Sequence, residues 1–128
     1  MKNEKIVYDN QNEVHDTIVG FAKSILRPAN EAYLIGSSTT GTFGKYPGKS
    51  EGRKESDIDV VVMIDENKIP KDWKPMGIEK KWWTGYAGDK LEINGTRHKA
   101  EFMVVKPGME DFAHKRMEEL GWKPEKLK

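Results

Sequence analysis

The residues best suited to chemistry are two aspartates in the segment SDIDVVV, positions 56–62. Because side chains alternate along a strand, Asp57 and Asp59 are predicted to point to one face, while Ile58 points into the core. Their Cα atoms would lie about 6.5–7 Å apart, so both carboxylates can bind one hard cation or flank two metal ions. The structural alternative is a pair of solvated acids at the start of a strand.

A second feature is the turn Gly36-Ser37-Ser38, which follows the apolar run AYLI at positions 32–35. Gly36 lets the backbone approach a phosphate closely, and the following N–H groups and serine hydroxyls can hydrogen-bond its oxygens. The alternative is an ordinary surface turn. A triphosphate site needs donors for the phosphates and carboxylates for the metals that bridge them, so the combination predicts such a site.

The segment Gly48-Lys49-Ser50 looks like the end of a P-loop, but its context does not fit. The first glycine of that motif would fall at position 43, which is Phe43. A P-loop must also open a helix. Here the charged segment 51–56 leads into a strand instead, and we reject a P-loop.

The Gly-Ser turn followed by the two aspartates resembles the signature of the DNA polymerase beta-type nucleotidyltransferase superfamily, most clearly its minimal nucleotidyltransferases. In that family a strand ends in Gly-Ser, the next strand carries two metal-binding acids separated by one residue, and a third acid stands on a later strand. The likeness is good over positions 31–65 and loose elsewhere. It implies that Gly36, Ser37, Ser38 and Ser56 contact the nucleotide.

The connection between the two motifs, positions 38–56, is longer than is usual in the family. It carries four basic residues, Lys45, Lys49, Arg53 and Lys54. An insertion in a surface loop destabilises a fold only slightly. For each basic residue alone a solvated loop position is favoured, although the segment 41–54 is expected to order over a bound nucleotide.

Glu101 is the best candidate for the third acid, in the segment AEFMVV at positions 100–105. It resembles the family's late strand, where one acid precedes an apolar run, with Glu in place of the commoner Asp. The resemblance implies that Glu101 binds the metal that activates the attacking hydroxyl and receives its proton. Otherwise it is an exposed strand residue. Asp89 and Glu92 are weaker rivals because no apolar run follows them.

For the other residues whose side chains could bind a metal or a base, a structural role is favoured. The spacing of the three histidines is not that of metal ligands, so surface or packing roles are expected for His15, His98 and His114. Trp82, Trp83 and Tyr86 can stack on a base, but core packing or cover of a hairpin is favoured.

Two helices are predicted from apolar residues at helical spacing. The first carries Val14, Ile18, Phe21, Ala22 and Ile25 on one face. Asn10 or Asn12 can cap its start, and Pro28 ends it. The closing helix carries Met109, Phe112, Ala113, Met117 and Leu120, and Gly121 suits its C-terminal cap.

The strands are predicted at 32–35 and 58–64, the second buried on both faces. Asn94-Gly95 predicts a hairpin between strands at 90–93 and 96–105. The segment 65–88 is interpreted as irregular. One mixed β-sheet with flanking helices, an α+β (α/β-like) architecture with the nucleotidyltransferase fold, is the simplest arrangement of these elements in a single domain, 1–128.

Composition excludes several classes of protein. Apolar residues make up 36% and charged residues 34%, which is typical of a globular chain and not of a disordered one. The absence of cysteine excludes disulfides and thiolate zinc sites. No apolar run approaches the length of a membrane span or a signal peptide, so a cytoplasmic location is expected. A net charge of +1 disfavours a nucleic-acid-binding module, although a local basic patch escapes this count.

The expected function is transfer of a nucleoside monophosphate from a nucleoside triphosphate to an acceptor hydroxyl. The resemblance implies ATP as the default donor and Mg²⁺ or Mn²⁺ held by Asp57, Asp59 and Glu101. The acceptor is open among protein, RNA and small molecules. A chain this short has little room to bind it, so a partner protein or a second copy is expected to complete the site. The alternative is a non-catalytic nucleotide-binding or antitoxin-like module with the same fold.

Overall fold

A computed structural model describes residues 5–45 and 56–128. In chain order the elements are β1 (Ile6–Val7), α1 (Gln11–Ile25), β2 (Glu31–Ile35), α2 (Ser37–Thr40), β3 (Gly44–Lys45), β4 (Ile58–Met63), a 3₁₀ turn (Glu66–Lys68), β5 (Lys74–Glu79), β6 (Trp83–Ile93), β7 (Thr96–Val105), α3 (Glu110–Glu119) and β8 (Glu125–Lys126). Both predicted helices are confirmed. Helix α1 follows Asn10 and ends before Pro28, and Gly121, just after α3, has the left-handed φ of a helix end.

Six strands form one mixed sheet in the order β5-β6-β7-β4-β2-β8. Neighbouring strands are antiparallel except for β4 and β7, which are parallel. The short strands β1 and β3 form a separate antiparallel pair. The prediction of an α+β fold built on a mixed sheet with flanking helices is confirmed at this level.

The alternation of side chains along β4 divides the core between the two faces of the sheet. Val60 and Val62 belong to the larger cluster, into which α1 packs its buried face. Val61 and Met63 belong to a second cluster on the opposite face, where α3 contributes Ala113. The strand is therefore buried on both sides, as its β-branched composition predicts.

The hairpin predicted at Asn94-Gly95 is confirmed but is longer than expected. The two turn residues have φ of 51° and 82°, the positive values that a two-residue primed turn requires. The interpretation of 65–88 as irregular is wrong, because β5 lies within it and β6 begins at Trp83. Register shifts interrupt both β5 and β6, so no regular period marks these strands in the sequence.

The connection from the Gly-Ser turn to the aspartates is not a simple loop, because it contains α2 and β3. Lys45 is part of β3, whereas Lys49, Arg53, Lys54 and the P-loop-like segment lie outside the described residues. Most of the segment expected to order over a nucleotide also lies outside them. Within 5–45 and 56–128, no helix is both long and apolar enough to cross a membrane.

Candidate functional site

Three carboxylates converge where β4 and β7 run side by side. The parallel register pairs Asp59 with Glu101, and Asp57 stands one position before β4, on the same face as Asp59. One carboxylate oxygen from each residue lies within 4.8 Å of the other two, and all three side chains are partly buried. Carboxylate oxygens are the ligands that Mg²⁺ and Mn²⁺ prefer, so this donor set fits a hard divalent cation.

Strand β2 brings the Gly-Ser turn to the same place from the other side of β4. Ile35, the last residue of β2, pairs with Asp59, and the chain then turns at Gly36 with a φ of 84°. A Cβ atom at position 36 would lie 3.0 Å from Oδ2 of Asp59. Glycine is therefore favoured here both by the positive φ and by the close approach of the carboxylate.

Burial and mutual repulsion raise the pKa values of both aspartates. The pKa of Asp57 is raised to about 7, first by burial and then by the charges of Glu101 and Asp59. The pKa of Asp59 is raised to about 6, again first by burial and then by the charge of Glu101. Both effects disfavour the ionised carboxylates, and a cation bound among them would offset both.

Lys99 supplies part of the counter-charge. Its Nζ lies 3.3 Å from Oε2 of Glu101, and its positive charge lowers the pKa of Asp57 against the larger opposing effects. Lys99 and Glu101 share a face of β7 because they are two positions apart. That alternation was the signal by which Lys99 could have been identified from the sequence.

The serines predicted to contact a nucleotide lie in different surroundings. Ser37 is partly exposed at the start of α2, whereas Ser38 is buried and its hydroxyl donates to the carbonyl of Ile35 at 3.3 Å. Ser56 is also buried, and its hydroxyl accepts a hydrogen bond from the N–H of Gly44 at 3.1 Å. Of the three hydroxyls, that of Ser37 is therefore best placed to contact a ligand, and those of Ser38 and Ser56 support the backbone.

The backbone just before Asp57 is also held from β7. Nδ1 of the buried His98 lies 2.7 Å from the carbonyl oxygen of Ser56. Because a carbonyl only accepts, Nδ1 donates, and Nε2 accepts from the Tyr8 hydroxyl at 2.9 Å. The packing role expected for His98 is confirmed, and its effect is to fix the start of β4.

Two cavities open on the face that carries the acids, and Asp59 lines both. The first, about 430 Å³, lies by the Gly-Ser turn, and we call it the turn cavity; Gly36, Thr39 and Thr40 line it. The second, about 690 Å³, is lined by residues of the sheet and of α3, and we call it the aromatic groove. Its lining includes Lys80, Lys81, Trp82, Trp83, Arg116 and Trp122. Both volumes fall in the range of sites for small ligands.

The remaining residues singled out from the sequence lie outside the acidic cluster. Asp89 and Glu92 are exposed on β6 and do not belong to the grouping of three acids found among the described residues. Trp82 and Trp83 line the aromatic groove, whereas Tyr86 packs against the cluster on the α1 face.

The other two histidines pair with carboxylates near the surface. Nε2 of His15 lies 2.6 Å from Glu125, and these contacts raise the pKa of His15. Nε2 of His114 lies 3.2 Å from Glu31. The surface roles expected for these two histidines are confirmed.

Sequence reasoning missed the cations of the aromatic groove. Lys80 and Lys81 come from the connection between β5 and β6, and Arg116 comes from α3. Lys80 and Lys81 directly precede Trp82 and Trp83 in the sequence, and that adjacency was the available signal. Only the fold brings Arg116 to the same groove. No protein-family model, curated protein or solved structure matches the chain.

Proposed function

We propose that this chain is a metal-dependent nucleotidyltransferase, which moves a nucleoside monophosphate from a nucleoside triphosphate, by default ATP, to an acceptor hydroxyl. The observation that carries the proposal is the convergence of Asp57, Asp59 and Glu101 within 4.8 Å, beside the turn at Gly36. Carboxylates for bridging metal ions and backbone donors for phosphates are the two components that this reaction needs.

In the proposed site Asp57 and Asp59 hold the cation, together with Glu101. When bound, Mg²⁺ or Mn²⁺ would neutralise the triphosphate. Gly36 permits the close approach of a phosphate, and the N–H and hydroxyl of Ser37 donate to its oxygens. The raised pKa values of the two aspartates support this assignment, because they show a cluster whose ionised form is stabilised by added positive charge.

The order of strands supports Glu101 as the group that receives the proton of the acceptor hydroxyl. β7, which carries Glu101, and β2, which leads to Gly36, lie on opposite sides of β4. In an in-line transfer the hydroxyl attacks from the side opposite the leaving pyrophosphate. With the phosphates at Gly36, the attack comes from the side of β7.

One observation favours the non-catalytic alternative, a nucleotide-binding or antitoxin-like module. The ammonium group of Lys99 lies 3.3 Å from the carboxylate of Glu101. A lysine in this position balances charge without a metal ion. The two functions differ in their need for metal, because only the transferase requires a divalent cation for triphosphate binding and turnover.

The test has two stages. The first is calorimetry with an ATP analogue that cannot be cleaved between the α and β phosphates, with Mg²⁺, with Mn²⁺ and with EDTA. We expect binding that depends on the metal ion. The second is incubation with each nucleoside triphosphate labelled at the α phosphate, with and without co-purifying host proteins, followed by detection of label transferred to any acceptor.

The matched variants are Asp59→Asn and Asp65→Asn. Both remove one carboxylate, but Asp65 is exposed and lies 3.8 Å from Lys68, away from the cluster. Asp59→Asn should abolish metal-dependent binding and transfer, whereas Asp65→Asn should leave both unchanged. Triphosphate binding that is equally strong in EDTA would reject the proposed reaction and favour the non-catalytic module.

A further inference from the structure

The aromatic groove leads from the acidic cluster to a surface with cations and indole rings. We propose that it binds the acceptor, and that the acceptor is a nucleotide, either free or at the end of a single-stranded nucleic acid. Both sources share one chemistry, a phosphate beside a planar base. This inference rests on the proposed function, because it names the substrate of the same site.

The strand order gives the groove its place in the reaction. The turn at Gly36 follows β2, Glu101 lies on β7 and Trp83 begins β6, in a sheet ordered β6-β7-β4-β2. The acceptor must lie on the side of the cluster away from the pyrophosphate. Met103 and Trp83 line the groove on that side of Asp59. Ile35 and Trp122 line both the groove and the turn cavity, so the two cavities meet at Asp59 and the groove extends from there toward the acceptor side.

Indole rings provide surfaces for a base. Trp82 is buried, and its ring centroid lies 6.4 Å from those of Trp83 and Trp122, both partly exposed. The buried ring supports the two others, which can offer their faces or edges to the groove. Aromatic rings stack on any base, so they suit an acceptor recognised by its chemical class and not by its sequence.

Cations provide the complementary charge for phosphates. Lys80, Lys81 and Arg116 line the groove, and Asp59 is the only acid in its described lining. The present contacts of these cations are exposed ones: Nζ of Lys81 lies 4.8 Å from the ring centroid of Phe112, and Arg116 lies 3.4 Å from Glu119. A local positive patch of this kind attracts phosphate although the net charge of the chain is only +1.

Transfer of the nucleoside monophosphate to this acceptor needs no further reactant. The hydroxyl oxygen of the groove-bound nucleotide forms a bond to the α-phosphorus of the donor. The bond from that phosphorus to the oxygen bridging the α and β phosphates breaks, and pyrophosphate leaves with the electron pair. The hydroxyl proton passes to Glu101.

The experiment measures the anisotropy of a short, fluorescein-labelled, single-stranded oligoadenylate in EDTA at several salt concentrations. Lys80→Met/Lys81→Met should weaken binding by about tenfold at low salt and reduce the slope of log Kd against log salt by about 1.4, since each phosphate contact on a single strand contributes about 0.7. The matched control, Lys23→Met/Lys115→Met, removes two exposed lysines that are not among the groove lining and should change neither quantity. Equal losses in the two double variants would overturn the proposal.

The rings are tested separately. Trp83→Ala should weaken binding by about tenfold, and Trp83→Phe should restore most of it, because a phenyl ring also stacks on a base. Unchanged affinity in Trp83→Ala would reject stacking in the groove. Competition by AMP then separates the two sources: displacement at similar concentrations indicates a free nucleotide, and much weaker displacement indicates the end of a strand, and both outcomes support the groove.

Two further comparisons distinguish this inference from the proposed function. Asp59→Asn should lose metal-dependent triphosphate binding but bind the oligonucleotide in EDTA at least as tightly as the parent, because it removes the one acid in the described lining of the groove. If the parent binds the triphosphate with metal but does not bind the oligonucleotide, the groove proposal fails and the transferase stands. If the uncleavable ATP analogue displaces the oligonucleotide only with Mg²⁺, at the concentrations that saturate the metal-dependent triphosphate site, and Asp59→Asn abolishes that displacement, the groove holds the base of the donor and the proposal is overturned.

Discussion

The two faces of the central sheet differ in how far a helix covers them. On the face of α1, β4 contributes Ile58, Val60 and Val62, each no more than 1% exposed. On the face of α3 the same strand contributes Val61 and Met63 at one end and Asp59 at the other. Helix α1 has 15 residues, whereas α3 has 10. Both cavities that Asp59 lines open on the α3 face.

This difference explains how one strand can serve both as core and as site. Burial of the carboxylates on the α3 face, and then their mutual repulsion, raise the pKa values of Asp57 and Asp59, so both effects oppose folding at neutral pH. Burial of each large apolar side chain on the α1 face contributes about 1.5–3 kcal/mol to the free energy of folding. The apolar face therefore holds the acids together although they repel one another.

The largest effect is expected from removing charge on the α3 face. Asp57→Asn and Asp59→Asn should each abolish nucleotidyl transfer and metal-dependent triphosphate binding, because a cation ligand is lost. The fold should survive, and its stability in EDTA should rise, because repulsion within the cluster is relieved. Turnover, calorimetry and urea unfolding on the same preparations test this. Full activity in either variant would exclude the proposed mechanism.

Glu101→Gln should lower turnover while leaving triphosphate affinity nearly unchanged. The side chain keeps its size but cannot accept the proton that the proposed reaction assigns to Glu101. A general base contributes about 10²–10⁴-fold, and a loss of that order is expected. Glu92→Gln, an exposed position on β6, is the matched control. Turnover within a few-fold of the parent would remove Glu101 from the reaction.

On the α1 face a substitution should lower stability and leave turnover unchanged. Ile18 is fully buried in the larger cluster, and Ile18→Ala should lower the free energy of unfolding by about 2–5 kcal/mol, because a cavity is left. Turnover per folded molecule should not change. Urea unfolding gives the first quantity, and a turnover assay at a temperature where the variant stays folded gives the second. A loss of turnover beyond the folded fraction would show that the faces are coupled.

The pH dependence of stability should reveal the acids directly. The pKa values of Asp57 and Asp59 in the folded protein, about 7 and about 6, lie above the ordinary aspartate value of 3.8. Between about pH 4 and pH 7 the folded state therefore binds more protons than the unfolded state, so stability falls as pH rises through this window.

Asp59→Asn isolates the contribution of one acid. Its stability relative to the parent in EDTA should increase from pH 5 to pH 8 by about 1 kcal/mol, after allowance for solvent screening. The pKa of His15 is also raised, so its contribution to stability is likewise lost as pH rises. His15 is present in both proteins, and its contribution cancels in the difference. Parallel stability curves for the two proteins would contradict the raised pKa of Asp59.

The smallest effect concerns Lys99. Lys99→Met removes the ammonium that pairs with Glu101, so Mn²⁺ affinity should rise about two- to fivefold, the size expected for a partly exposed ion pair. Lys23→Met, on the opposite side of the sheet, is the control. Titration with Mn²⁺ monitored by electron paramagnetic resonance measures both. Weaker Mn²⁺ binding would show instead that Lys99 holds Glu101 in position for the metal.

Much of the fold could be predicted because its signals are local. The apolar period of α1, the breaks at Pro28 and Gly121, and the turn at Asn94-Gly95 depend on neighbouring residues, and all appear where expected. β5 and the first half of β6 could not be predicted. Their register shifts remove the regular alternation, and their pairing is made by distant strands.

The site divides in the same way. The types and spacing of Asp57 and Asp59, and the glycine before Ser37, are properties of the sequence, because alternation along a strand and freedom at positive φ act within a few residues. The partner of these groups was decided by tertiary structure: the parallel pairing of β4 with β7 places Glu101 opposite Asp59, and Lys99 comes with it. The sequence marks the aromatic groove only in the segment 80–83, because the packing of distant segments brings Arg116 and Trp122 beside it.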